Sequence, residues 1–140
     1  MNDTKGAWRM PAEWEPHDRC WMAWPCNEAL WGPMLARGRR SFAAVVRAIS
    51  EFEPVTLLVR PEHLVEARQQ CGDAVEYWEY PLDDSWMRDF GPSFVCNDSG
   101  EIAGIDRRFN GWGKYPHEQD RHVSKFVLER LGLPRIEVPL

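Results

Sequence analysis

Three carboxylates and a tryptophan stand close together in one short segment, Asp83-Asp84-Ser85-Trp86-Met87-Arg88-Asp89-Phe90-Gly91-Pro92. A carboxylate can accept two parallel hydrogen bonds from a planar guanidinium, and an indole face offers the same flat cation a stacking surface. Trp86 and Asp89 are separated by only two residues, so they could form a flat slot with a bidentate anchor at its end. The segment is therefore a candidate guanidinium site in which Asp89 would be the anchor and Trp86 a wall.

A purely structural interpretation fits the same segment. Arg88 could pair with one of the neighbouring aspartates and leave the segment as a solvated turn, because charge clusters are often structural. Loops at the strand ends of α/β folds also host function frequently. The residue types by themselves leave both interpretations open.

A second candidate wall is the stretch Phe109-Asn110-Gly111-Trp112-Gly113. Glycines allow close approach of the backbone to a ligand, and Trp112 could supply another aromatic face. The alternative is an ordinary glycine-rich turn that carries a packed tryptophan. The eight tryptophans of the chain do not decide between the two, since a large aromatic content also suits a hydrophobic core.

The remaining reactive residue types predict neither a metal site nor a cofactor. None of the four cysteines forms a C-x-x-C pair, so they are expected to be reduced, packed thiols. The four histidines form no H-x-x-x-H motif, and neither a dinucleotide-binding nor a phosphate-binding glycine motif is present. The cysteines are Cys20, Cys26, Cys71 and Cys96.

The charge and hydropathy of the chain exclude two classes of partner. A net charge of −5 argues against nucleic acid, whereas it suits a small cationic substrate. No apolar stretch approaches the roughly 20 residues that span a bilayer, and the N-terminus has no apolar signal core. We therefore expect a cytoplasmic protein with no membrane partner.

Alternating strand and helix patterns predict an α/β fold. Ser41 can cap the first helix, whose apolar face is expected to comprise Phe42, Val45, Val46 and Ile49. The inner side of the second helix is expected to comprise Leu64, Val65 and Ala67. The last strand stops near the end of the chain, which indicates an incomplete domain. Strands are predicted at 19–24, 55–59, 74–80, 92–97, 101–107 and 135–138, and helices at 41–53, 61–71 and 117–131.

Three motifs in order resemble the agmatine deiminase and bacterial-type peptidylarginine deiminase family. They are Pro11-Ala12-Glu13-Trp14-Glu15-Pro16-His17 with Trp21-Met22-Ala23-Trp24-Pro25, the segment from Asp83 to Pro92, and Phe109-Asn110-Gly111-Trp112-Gly113. The resemblance implies a pentein fold, a propeller of αβ modules around a central active site. It also implies that residues 1–140 are the N-terminal part of a single catalytic domain, truncated at its C-terminal end and comprising about the first one to two modules.

The same resemblance implies the chemistry of the whole enzyme. A cysteine attacks the guanidinium carbon, ammonia leaves, and water resolves the intermediate. Asp89 would be the catalytic carboxylate that grips the guanidinium, Trp86 would line the pocket, and Asp84 and Trp112 would be pocket or support residues. In members of the family, the catalytic Glu, His and Cys lie after the part that residues 1–140 resemble. None of the four cysteines here has the glycine-rich context of the nucleophile. The chain alone is therefore expected to be inactive.

The resemblance favours agmatine as the substrate, which would be converted to N-carbamoylputrescine on the route to putrescine. Arginine or peptidyl-arginine is the alternative within the family, because each of these substrates presents the same guanidinium. A non-catalytic guanidinium-binding fragment is the alternative of a different class. The oligomeric state stays open, a homo-oligomer of the full-length enzyme included.

Overall fold

The computed structural model describes residues 7–139, which divide into two compact units. The first unit is His17–Met87, and the second combines residues 7–16 with residues 88–139. Each unit contains a three-stranded sheet and at least one helix, which confirms the predicted α/β class. None of the helices within residues 7–139 has the length and apolar character needed to span a bilayer.

The sheet of the first unit has three parallel strands in chain order. The middle strand is buried along all five residues, as its run of β-branched residues and leucines predicts for a strand covered on both faces. All three strands were predicted from the sequence, within one or two residues at each end. They are β1 (Cys20–Ala23), β2 (Val55–Val59) and β3 (Glu76–Glu79).

Two long helices cover one face of this sheet and form the core with it. A short α1 (Glu28–Trp31) and a 3-10 turn (Gly32–Met34) lead into α2 (Leu35–Ser50), and a second 3-10 turn (Pro61–His63) leads into α3 (Leu64–Cys71). The fully packed residues are apolar side chains of β2, α2 and α3 with two neighbours from the connecting segments. They are Trp24, Ala43, Val46, Val55, Leu57, Val59, Ala67, Cys71 and Val75.

Helix α2 begins earlier than the sequence predicted, so the assignment of Ser41 as its N-cap was wrong. The N-cap position is Met34, which makes no side-chain capping bond, because the chain enters α2 directly from the preceding 3-10 turn. Val45 and Val65 are exposed to 48% and 69%, so their predicted inward orientation was also wrong. Val45 lies two residues after the buried Ala43 and one residue before the buried Val46, and a step of roughly 100° per residue turns it away from the core face.

The second unit contains a mixed sheet built on a hairpin. Strands β4 (Ser93–Cys96) and β5 (Ile102–Arg107) are antiparallel, and the turn between them is closed by Asn97, whose Oδ1 accepts from the backbone N–H of Ser99 and of Glu101 at 3.0 Å each. The strands predicted at 92–97 and 101–107 are therefore confirmed, and the Asn97 side chain closes the turn between them.

A helix then connects the hairpin to a further strand, which pairs in parallel with β5. A 3-10 turn (Asp120–His122) leads into α5 (Val123–Leu131), which starts later than predicted and ends, as predicted, at Gly132 with a left-handed φ of 67°. Strand β6 (Arg135–Val138) completes the sheet.

The packing of α5 on β5 is close because Gly104 has no side chain. A Cβ at this position would lie 2.2 Å from Leu128 Cδ2. Residues 7–16 belong to the same unit, where Arg9 forms an antiparallel bridge to Cys96 at the edge of β4.

Candidate functional site

The segment that carries the three aspartates follows β3 and includes the boundary of the two units. Tyr80 continues the strand direction by donating its backbone N–H to Val59 O at 2.9 Å, and Leu82 is fully buried. A single helical turn, α4 (Met87–Phe90), forms where the sequence predicted only a loop. Asp83, Asp84 and Trp86 belong to the first unit, and Arg88 and Asp89 to the second.

Asp84 is a buried carboxylate held by donors of its own unit. It is only 3% exposed. Its Oδ1 and Oδ2 accept from the indole N–H of Trp31 at 2.9 and 3.2 Å, and Oδ1 lies 3.5 Å from the backbone N of Cys26. A buried carboxylate of this kind stabilises the framework, because its hydrogen-bonding capacity is used inside the protein.

Trp86 is 42% exposed and its ring lies parallel to that of Trp31. The two ring planes differ by 11° and their centroids are 6.4 Å apart. Phe42 meets the Trp31 ring edge-on, with centroids 6.2 Å apart. Trp86 is therefore a partly open aromatic surface whose neighbour is itself packed into the first unit.

Asp89, in the second unit, has the opposite surroundings to Asp84. Asp89 is exposed, and its side chain makes no hydrogen bond or ion pair with any of the residues that the structure describes. Arg88 pairs with Glu13, at 3.3 Å between Nη2 and Oε1, in an exposed contact. The structural interpretation in which Arg88 pairs with a neighbouring aspartate is therefore wrong, and Asp89 is an exposed carboxylate without a partner among residues 7–139.

The end of α4 is fixed to the second unit by its last residue. Phe90 is 1% exposed and its ring meets Phe109 edge-on, with centroids 5.9 Å apart. The backbone carbonyl of Phe90 also accepts a hydrogen bond from Ser124 Oγ at 3.2 Å. The chain on the C-terminal side of Asp89 is thus held in place while Asp89 itself is exposed.

Trp112 combines an exposed ring with an unusual backbone conformation. It lies in a 3-10 turn (Gly111–Gly113) with φ 52° and ψ 27°, a left-handed conformation that is uncommon outside glycine. Its ring is 48% exposed and contacts Phe109 and Tyr115 edge-on, with centroids 5.1 and 5.8 Å apart. Such a strained residue with an open aromatic surface is typical of a binding position.

The cysteines and histidines do not add a metal centre to this site. No cluster of three or more metal-ligating side chains occurs within residues 7–139. None of the four cysteines forms a disulfide, and Cys26 and Cys71 are buried as the sequence predicted, whereas Cys20 and Cys96 are half-buried. Burial raises the pKa of the Cys71 thiol to about 11, so this side chain stays protonated and unreactive at neutral pH.

Trp31 is the residue of this region that the sequence did not single out. It contacts both Asp84 and Trp86, yet it stands more than 50 positions before them in the chain. Neither its spacing nor its neighbours Leu30 and Gly32 form a motif. The one available signal was the crowding of five tryptophans into the first quarter of the chain, which indicates aromatic packing without naming the partners.

Known proteins resemble this chain along nearly all of its length. A family model described as Porphyromonas-type peptidyl-arginine deiminase matches residues 9–140. An agmatine deiminase of Pseudomonas aeruginosa (strain LESB58) is 40% identical over 128 residues, which are 86% of this chain and 35% of that protein. The agmatine deiminase structure of Enterococcus faecalis is 34% identical and matches 94% of this chain and 38% of that one, with a TM-score of 0.88.

A substrate-bound agmatine deiminase variant of C. jejuni, 24% identical, has the same fold over 97% of this chain and 41% of its own, with a TM-score of 0.81. The chain spans 35% to 41% of the length of these three relatives. The family match includes all three motifs, with Asp89, Trp86 and Trp112 among the matched residues. The chain therefore belongs to the Porphyromonas-type peptidyl-arginine deiminase family.

Proposed function

We propose that this chain supplies the guanidinium-binding part of an agmatine deiminase, which hydrolyses agmatine to N-carbamoylputrescine and ammonia on a route to putrescine. The observation that carries the proposal is Asp89, an exposed carboxylate within the family motif that uses none of its hydrogen-bonding capacity on residues 7–139. A bidentate hydrogen bond to a guanidinium would satisfy this carboxylate and orient the substrate carbon for attack.

The other candidate residues have supporting roles in this proposal. Trp86 and Trp112 offer exposed rings to the flat cation or to the alkyl chain of the substrate. Asp84 supports the site without contacting the substrate, because its carboxylate is buried and accepts a hydrogen bond from the indole N–H of Trp31. We further propose that residues 1–140 form the N-terminal part of one catalytic domain of the pentein type, comprising its first one to two αβ modules.

We expect that this chain alone does not turn over agmatine. None of the four cysteines stands in a glycine-rich nucleophile sequence, and Cys71 is protonated at neutral pH because burial raises its pKa to about 11. A nucleophilic step needs a thiolate. Colorimetric detection of the ureido product, with the purified chain and agmatine, should remain at background, and clear product formation would contradict this part of the proposal.

Agmatine binding tests the role of Asp89 directly. Titration calorimetry should show binding to the parent chain and a loss of affinity of about 10- to 100-fold in Asp89→Asn, the range expected when hydrogen bonds to a charged group are removed. Asp98→Asn, which changes an exposed aspartate of the β4–β5 turn, is the matched control and should bind like the parent. Equal affinity in Asp89→Asn and the parent would reject the proposal.

A second candidate substrate class is favoured by the matched family model, whose description names peptidyl-arginine. Asp89 cannot discriminate among these substrates, since agmatine, arginine and peptidyl-arginine present the same guanidinium. The three ligands differ only at the far end, where agmatine carries an amine and the other two carry a carboxylate or a peptide. Titrations with all three should give the highest affinity for agmatine, and a preference for an arginine peptide would favour the second candidate.

A further inference from the structure

Trp31 touches two residues of the aspartate-rich segment and has no role in the proposed function so far. It ends α1 in the first unit, is half-buried, and was not singled out by any motif. We infer that Trp31 is a positioning residue that fixes the ring plane of Trp86 and so determines how tightly the guanidinium substrate is held. This inference rests on the proposed function, because it concerns the affinity of the same site.

The indole N–H of Trp31 sets the orientation of its own ring. It is the only donor of the side chain, and it points at both oxygens of Asp84, at 2.9 and 3.2 Å. Because Asp84 is 3% exposed, this hydrogen bond is shielded from competing water. A ring anchored at its N–H cannot rotate about its side-chain bonds without losing a buried charge-assisted hydrogen bond.

Helix α2 provides the slot in which this ring lies. A Cβ at Gly38 would stand 2.6 Å from Trp31 Cζ3 and 2.9 Å from Cε3, so the ring rests directly on the backbone of the helix. Phe42, one turn later on the same helical face, meets the ring edge-on. This contact explains why a glycine, a poor helix former, occupies a buried position inside α2.

The ring so fixed lies parallel to Trp86, with an interplanar angle of 11°. Asp84 and Trp86 are separated by a single residue, so Trp31 holds both through one rigid group: the first by a hydrogen bond, the second by stacking. A binding surface that is ordered before the ligand arrives loses less side-chain freedom on binding. Trp31 therefore contributes to affinity through Trp86 without contacting the substrate itself.

Two variants separate this role from simple stability. Trp31→Phe keeps an aromatic ring and removes the N–H, whereas Gly38→Ala changes no side chain of the site chemically and displaces the Trp31 ring from the helix. Each should raise the dissociation constant for agmatine about 2- to 10-fold, the range that an aromatic pair contributes. Trp14→Phe, at a tryptophan exposed to 89% in the second unit, is the control and should bind agmatine like the parent.

Fluorine NMR of the chain labelled with 5-fluorotryptophan reports the position of Trp86 itself. Trp86→Phe assigns its resonance among the eight tryptophans. Before any agmatine is added, this resonance should shift or broaden in Trp31→Phe and Gly38→Ala and stay unchanged in Trp14→Phe. A general loss of stability would not move one resonance selectively.

The outcomes distinguish the two proposals. An unmoved Trp86 resonance in both variants, or parent-like agmatine affinity in both while Asp89→Asn loses binding, overturns the role of Trp31. Agmatine binding that is equal in the parent and in Asp89→Asn instead overturns the proposed function.

Discussion

Asp84 and Asp89 belong to one motif but lie in different units and have opposite surroundings. Asp84, in the first unit, is 3% exposed and accepts from the indole N–H of Trp31. Asp89, in the second unit, is exposed and makes no hydrogen bond or ion pair within residues 7–139. The comparison indicates that one carboxylate supports the framework of its unit, whereas the other is available to an external cation.

The difference has a physical basis in where the charge can be satisfied. A buried carboxylate must find its donors inside the protein, because an uncompensated buried charge is costly. An exposed carboxylate keeps its water shell and can exchange that water for a guanidinium. A motif that repeats the same residue type can therefore contain one buried structural member and one exposed member.

The strongest test of this comparison is the stability of the two alanine variants. Asp84→Ala leaves the Trp31 N–H without its buried acceptor, so the free energy of unfolding should fall by about 2–4 kcal/mol. Asp89→Ala changes an exposed residue without such bonds and should stay within about 0.5 kcal/mol of the parent. Urea unfolding followed by tryptophan fluorescence and circular dichroism measures both.

Asp84→Asn is the matched control for this pair, because its side-chain carbonyl can still accept from the indole. It should lose less stability than Asp84→Ala. If Asp84→Ala and Asp89→Ala lost similar amounts, the division into a structural and an open carboxylate would be untenable.

A close helix–strand contact in the second unit gives the next largest effect. At Gly104 a Cβ would be 2.2 Å from Leu128 Cδ2, so Gly104→Ala forces α5 away from β5. Overpacking of this kind costs about 1–3 kcal/mol. Asp98→Ala, in the exposed turn of the same hairpin, should change the free energy of unfolding by less than about 0.5 kcal/mol.

This prediction also sharpens the comparison of the units. Amide hydrogen exchange should show faster exchange in β5 and α5 of Gly104→Ala, while β2 in the first unit keeps the protection of the parent. Equal loss of protection in β2 would show that the two units unfold as one cooperative body.

The fold was predictable where a local pattern and its burial agree. The run from Val55 to Val59 is buried along its length, and the strands predicted at 92–97 and 101–107 pair across a turn that Asn97 closes. The prediction that α2 starts at Ser41 was wrong, because α2 continues from a 3-10 turn and no capping side chain marks its start. The predicted burial of Val45 was wrong, because the buried face of a helix depends on which elements cover it, and the local sequence does not identify these elements.

The candidate site was predictable only as far as one motif reaches. Asp89 and Trp86 follow from the chemistry of a single segment, since a guanidinium needs a carboxylate and a flat ring. Trp31 could not be predicted, because its hydrogen bond to Asp84 joins residues 53 positions apart. The burial that separates Asp84 from Asp89 is likewise a property of the folded units and has no local sequence signal.

The smallest expected effect concerns a carboxylate between these two extremes. Glu76, in the first unit, has a half-exposed side chain that accepts from Trp78 Nε1 at 2.7 Å and from Arg19 Nη1 at 2.5 Å. The hydrogen bond from Trp78, with the help of Arg19, lowers the pKa of Glu76 below its ordinary value of 4.5, although burial opposes the shift. The stability that follows is present above pH 4.5 and is lost as the pH falls through the lowered pKa.

Glu76→Gln should therefore be less stable than the parent at neutral pH by less than about 1 kcal/mol, since the pair is solvent-screened. The difference should shrink as the pH drops below 4.5 and be lost below the lowered pKa of Glu76, where both proteins carry a neutral side chain at this position. Urea unfolding across this pH range measures it, with Glu79→Gln, at an exposed glutamate of the same strand, as the control. A difference that grew on acidification would reverse the sign of the linkage, whereas no difference at any pH would place Glu76 with Asp89 among the carboxylates that do not stabilise the fold.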